Sequence, residues 1–215
     1  MFYNKTIIAF EGIGGSGKTT QINKLYNYLK KLSINSRIFK PDNTLKVVKA
    51  NENTYKIFDE ISEKAPNESL TSQLKSLIVT YEQVTKVFEI LTENTDTEII
   101  IMDRYKHTFY LGKALYYWGE CEWYINSMIE WLPKPDIVFY FELNVKEALK
   151  RVVSRDEPLR EYDNIETLST IDNAYMKLFE QSKEIASDCY KINSNDDIDS
   201  IHEFIIDRIN DIQKK

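Results

Sequence analysis

Cysteine is nearly absent from this chain: Cys121 and Cys189 are the only two in 215 residues, far apart and outside any C-x-x-C spacing. That excludes a disulfide scaffold and points to two buried thiols in a reducing compartment, the cytoplasm. Histidine is equally scarce, and neither His107 nor His202 is paired with a nucleophile that it could activate. Positive charge is not in excess. The net charge of −6 argues against a general nucleic-acid or membrane-surface binder, both of which need a basic surface, although it leaves room for a local basic pocket. No apolar run approaches the length of a membrane span, and no signal-peptide pattern is visible. There is also no internal repeat, low-complexity tract or Pro/Gly/Ser linker, so residues 1–215 read as one domain with room for a short lid.

Against these absences one stretch stands out, Thr6 to Thr20. Ile7 to Phe10 read as a short buried strand. Gly12, Ile13, Gly14, Gly15, Ser16, Gly17, Lys18 and Thr19 follow, matching the phosphate-loop pattern G-x-x-x-x-G-K-[ST]. Then Ile22, Leu25, Tyr26, Leu29 and Leu32 recur at helical spacing. Strand, glycine loop and helix stand in the order the motif needs. The glycines let backbone N–H groups turn inward around a polyphosphate, and the helix start adds the positive end of its dipole. Lys18 is expected on the β- and γ-phosphates of a bound nucleotide, Thr19 on Mg²⁺, and Thr20 beside them.

The remaining chain alternates strands and helices. Residues 36–40, 98–102, 136–141 and 190–193 read as strands, and 44–67 as loop with a short helix. A long helix of about six turns is expected through Leu70 to Leu91. Residues 107–131 are expected as two helical pieces broken near Gly119, and 165–186 and 198–212 as further helices. Asn144, with Glu147 three residues on, marks a helix start. The alternation predicts an α/β fold with a five-stranded parallel sheet and helices on both faces, whose ligands bind at the carboxyl ends of the strands.

Three constellations lie beyond the loop. Asp103 and Arg104 follow a strand and read as a carboxylate for magnesium's water ligands and a cation for a second anion, or as an ion pair capping the strand. Arg151 precedes the charged segment 154–163, and Arg155 and Arg160 lie within it. They read as lid cations for the charge that spreads over a migrating phosphoryl group, or as solvated loop arginines. The aromatics between His107 and Trp131 read as core or subunit contact, or as a stack for a planar acceptor.

The chain resembles the thymidylate kinases, within the nucleoside monophosphate kinase group of P-loop kinases, almost end to end. FEGIGGSGKTT resembles their first motif, DRY at 103–105 their second, and PDIVFYFELNVKEALKRVVSR at 135–155 the strand and helix that lead into the lid. The resemblance implies a three-layer P-loop kinase fold, usually homodimeric, with Gly12 to Thr19 on ATP. It places Arg104 on the acceptor's phosphate, with Tyr105 and Thr108 nearby, and Arg155 in the lid. Gly15 stands where one subgroup carries a loop arginine, so the chain resembles the other subgroup, whose catalytic arginine lies in the lid. Three positions depart from the pattern: Gly14 replaces an acid, Tyr81-Glu82-Gln83 replaces an Asp-Arg pair, and Lys40-Pro41-Asp42-Asn43 replaces a Glu-Pro-Gly-Gly turn. In this register Glu82 faces the base pocket. The expected activity is Mg²⁺- and ATP-dependent phosphorylation of a nucleoside monophosphate, dTMP first. The rivals are a deoxyribonucleoside kinase and a protein of this family that binds ATP but has altered or lost its acceptor specificity.

Overall fold

The computed structural model describes residues 5–40, 60, 68–93, 96–115, 119–155, 158–159, 163–180 and 186–213. Five parallel strands form one sheet in the order β2-β3-β1-β4-β5. They are β1 (Thr6–Glu11), β2 (Ser36–Phe39), β3 (Ile99–Asp103), β4 (Ile137–Glu142) and β5 (Asp188–Asn193). The helices are α1 (Lys18–Lys31), α2 (Glu68–Thr92), α3 (Lys106–Leu115), α4 (Glu122–Trp131), α5 (Val145–Val153), α6 (Ile165–Glu180) and α7 (Ile198–Gln213).

The two-residue side-chain period of the strands divides the core. Ile8 and Phe10 of β1, Ile99 and Ile101 of β3, and Ile137, Phe139 and Phe141 of β4 pack with Ile22, Leu25 and Leu29 of α1 and Ile201, Ile205 and Ile209 of α7. Ile7, Ala9, Ile100, Met102 and Val138 point the other way, onto Val84, Val87 and Leu91 of α2 and Ile125 and Ile129 of α4. Strands covered on both faces need continuous apolar runs, which is what IIAF, IIIM and IVFYF supply. A third cluster joins Ile13 of the loop and Tyr140 of β4 to Ala148 of α5 and Leu168 and Tyr175 of α6.

The break expected near Gly119 is present, with a short 3₁₀ turn at Gly119–Cys121 between α3 and α4. Asn144 caps α5, its side chain accepting from the Lys146 N–H at 3.0 Å. Glu147 turns instead to Arg151, 3.4 Å away on the same helix face. The helix expected over 165–186 is described to Glu180. Most of the segment 44–67, together with Arg160 and Pro41-Asp42-Asn43, lies outside the described residues.

Candidate active site

β1 ends in the middle of the sheet, and its loop turns over that end before α1 begins at Lys18. Two loop glycines cannot be replaced without moving backbone. A Cβ on Gly12 (φ +136°) would stand 2.6 Å from the Phe141 carbonyl oxygen, and one on Gly15 (φ +81°) 2.4 Å from that of Ala148. Gly15 thus has no room for a side chain such as arginine. Gly14 differs: a Cβ there would meet only Val152 Cγ2 at 3.6 Å and Asp163 Oδ1 at 3.9 Å. The missing acid at position 14 is therefore not a steric requirement, and Asp163, just before α6, brings a carboxylate to the same place.

Lys18 is 6% exposed. Its ammonium curls back over the loop, donating to the Gly12 and Ile13 carbonyl oxygens at 2.8 Å each and to Ser16 Oγ at 3.2 Å. A polyphosphate entering the loop offers that ammonium charged oxygens in place of neutral ones, a stronger class of hydrogen bond. Thr19 and Thr20 are exposed in the first turn of α1. Ser16 and Ile13 are buried.

The next strand supplies the other half. Phe10 is paired with Asp103, the last residue of β3. Arg104 follows in the left-handed region at φ +76°, its N–H donating to the Phe10 carbonyl at 3.0 Å. A non-glycine residue there is held by its surroundings. Glu11, completely buried, is the main holder. Its Oε1 accepts from the Tyr105 N–H at 2.8 Å and the Thr108 N–H at 3.3 Å, and its Oε2 from Thr108 Oγ at 2.6 Å and the Tyr175 hydroxyl at 3.0 Å. Arg104 Nη1 donates to the same Tyr175 hydroxyl at 2.8 Å. Burial pushes the phenol's pKa far up; the Arg104 guanidinium opposes the rise and Glu11 adds to it.

Asp103 is 5% exposed and its Oδ2 lies 3.3 Å from Lys40 Nζ, just beyond β2. Tyr105 is wholly buried, its ring against Phe109 and its hydroxyl donating to the Pro133 carbonyl at 2.9 Å, so its side chain belongs to the core. His107 is 2% exposed, and among the described residues neither ring nitrogen has a hydrogen-bonding partner. Burial holds its pKa below the usual 6.5; Glu11 opposes this and Lys106 reinforces it. Glu82 is 8% exposed on α2, one turn before Lys86. Arg151 donates to the Ser194 carbonyl at 3.2 Å and Asn195 Oδ1 at 3.1 Å, which puts it at the turn between β5 and α7. Arg155 is exposed just past α5.

The loop, Lys18, Asp103 and Arg104 are thus brought together at the carboxyl ends of the neighbouring inner strands β1 and β3. Glu11 and Tyr175 are the residues that sequence reasoning did not assign. Glu11 was visible only as the residue between an apolar run and the glycine loop, and Tyr175 as one of two aromatics on an amphipathic helix.

Comparison with known proteins gives the family. The family described as thymidylate kinase matches residues 10–205. A probable thymidylate kinase of Sulfurisphaera tokodaii is 31% identical over 172 residues, 80% of each chain. One from Sulfolobus acidocaldarius is 29% identical over 205 residues, 92% of each chain, and a thymidylate kinase of Fervidobacterium nodosum is 25% identical over 203 residues, covering 93% of this chain and 95% of its own. Among solved structures, a deoxyadenosine kinase from M. mycoides with dCMP and dCDP superposes with a TM-score of 0.62 at 21% identity, over 96% of this chain and all of that one. That likeness bears on the fold.

Proposed function

We propose, from the premise that this chain belongs to the thymidylate kinase family, that it transfers the γ-phosphoryl group of ATP to dTMP, giving dTDP and ADP. The observation that carries the reading is the adjacency of β1 and β3: the phosphate loop and Arg104 rise from neighbouring strand ends, tied by the 3.0 Å bond from Arg104 to Phe10. Donor and acceptor phosphates so placed face each other, and positioning accounts for much of phosphoryl-transfer catalysis. Lys18 moves from the loop carbonyls onto the β- and γ-phosphates, Arg104 holds the acceptor's phosphate, and Arg155 and Arg160 bring lid charge to the equatorial oxygens. Because a monophosphate oxygen is already ionised, no strong base is required.

The donors present fit magnesium. Thr19 offers a hydroxyl in the first turn of α1 and Asp103 a carboxylate on the neighbouring strand, both hard oxygen ligands. Among the described residues no cluster of three or more His, Cys, Asp or Glu could cage an ion. That suits a cation which keeps its waters and takes the rest of its shell from phosphates. When bound it offsets charge on the β- and γ-phosphates.

Lys40 separates this reading from a deoxyribonucleoside kinase, which needs a carboxylate near the end of β2 to deprotonate a sugar hydroxyl. Here an ammonium stands there, on Asp103. The homodimer expected of the family has surface to use: Trp123, Tyr124 and Trp131 of α4 and Tyr81 of α2 are more than half exposed. Light scattering on the purified chain tests it. No helix among the described residues is long and apolar enough to cross a membrane, and the reading places the enzyme with its nucleotides in the cytoplasm as a single P-loop kinase domain. An ADP-release assay with ATP against nucleosides and monophosphates tests the activity. dTMP is expected to give the highest turnover; turnover of a nucleoside without any of dTMP overturns the reading.

A further inference from the structure

We propose that Tyr175 is a positioning residue for acceptor recognition: its phenol oxygen, wedged between Arg104 and a buried carboxylate, fixes the direction in which the guanidinium faces a nucleoside monophosphate's phosphate. The inference rests on Arg104 as the acceptor cation. Tyr175 lies on α6, just after the lid segment, and is 1% exposed. Its oxygen has three partners: Arg104 Nη1 at 2.8 Å, Thr108 Oγ at 2.7 Å and Glu11 Oε2 at 3.0 Å.

Proton counting orders these contacts. A guanidinium only donates, an ionised carboxylate only accepts, and each hydroxyl carries one proton. The 2.6 Å contact from Thr108 Oγ to Glu11 has the length of an O–H···O⁻ bond, so the threonine proton belongs to Glu11. The phenol's one proton then has two acceptors, Thr108 Oγ and Glu11 Oε2, and neither is Arg104. Lone pairs face the guanidinium. Burial keeps the phenol protonated, so this polarity does not reverse in the working pH range. Arg104 needs such a support because its own backbone, at φ +76°, is in a region that side-chain-bearing residues seldom occupy.

The ring and the hydroxyl can be tested apart, since Tyr175 also packs among Ile13, Leu111, Tyr140 and Leu168. Tyr175→Phe keeps that packing and removes only the oxygen. The readout is Kd by calorimetry, for whichever monophosphate binds the wild type best, so a wrong assignment of dTMP leaves the test intact. Tyr175→Phe is expected to weaken monophosphate binding about tenfold, the scale of a lost hydrogen bond to a charged group. ATP binding is expected to stay within twofold. In an Arg104→Ala background the same change is expected to do nothing further. Tyr175→Leu, which also lacks the oxygen, gives the same reading should the phenylalanine variant not fold. Unchanged monophosphate affinity in a folded variant overturns the proposal, as does an equal loss with and without Arg104.

Discussion

The two sides of the proposed site are made of different material. On the proposed donor side the phosphate loop is packed as backbone: Gly12 and Gly15 lie against the carbonyls of Phe141 and Ala148, closer than any Cβ permits, with one lysine folded back over the loop. On the proposed acceptor side the geometry is carried mainly by side chains from β1, the segment just after β3, α3 and α6, joined through Glu11 and Tyr175. A backbone site is specified by a few consecutive residues. A side-chain site is specified by contacts between residues as far apart as Glu11 and Tyr175. The first can be recognised by pattern; the second can change its partners while the fold stays the same.

Each side can be broken separately. Lys18→Ala is expected to cost about a hundredfold or more in kcat, because it removes a cation from the migrating charge. Circular dichroism should show the parent's fold; activity within a few-fold of the parent removes Lys18 from the mechanism. Arg104→Ala is expected to weaken dTMP binding by about tenfold to a hundredfold, the scale of charge-assisted bonds to phosphate. Calorimetry with ATP alone should show little change. An equal loss for ATP would join the two sides rather than separate them.

Glu82→Gln is a smaller, sharper change. A carboxylate cannot donate to a thymine carbonyl, whereas the amide of the same shape can. The variant is expected to raise kcat/KM for dTMP several-fold, about what one neutral hydrogen bond contributes. No change in a folded variant places Glu82 outside the base pocket. The smallest effect concerns stability. His107 is held neutral by burial, with Lys106 reinforcing this and Glu11 opposing it, so its pKa in the fold lies below the ordinary 6.5. The unfolded chain therefore takes up the proton first on acidification. His107's contribution is complete above about pH 6.5 and is lost as pH falls below it. His107→Leu is expected to lessen the fall in Tm between pH 7.5 and 5.5. His202 also titrates low, mainly through partial burial, so the difference between variant and parent is the readout. An unchanged slope would show that His107 does not titrate in that window.

The parts read correctly from sequence were those whose physics is local. The apolar runs of β1, β3 and β4, the cap at Asn144 and the break at Gly119 each depend on neighbours within a few residues. The expected strand at 190–193 proved to begin at Asp188, because pairing with β4 sets its length. Tyr105 looked like an acceptor contact from its place after Arg104. Its ring is buried instead, because α3 turns it into the core beside Phe109.

Sequence alone determined the parallel sheet, the phosphate loop and the family to which the chain belongs, since each is written in residue order at a fixed spacing. Tertiary structure alone decided that Glu11 supports the segment after β3, that Lys40 lies on Asp103, that Asp163 lies over Gly14, and that Tyr175 faces Arg104. The reason is physical. A hydrogen bond between residues 71 or 164 positions apart leaves no period or spacing in the chain, because the fold, and not the peptide backbone between them, brings the two groups together.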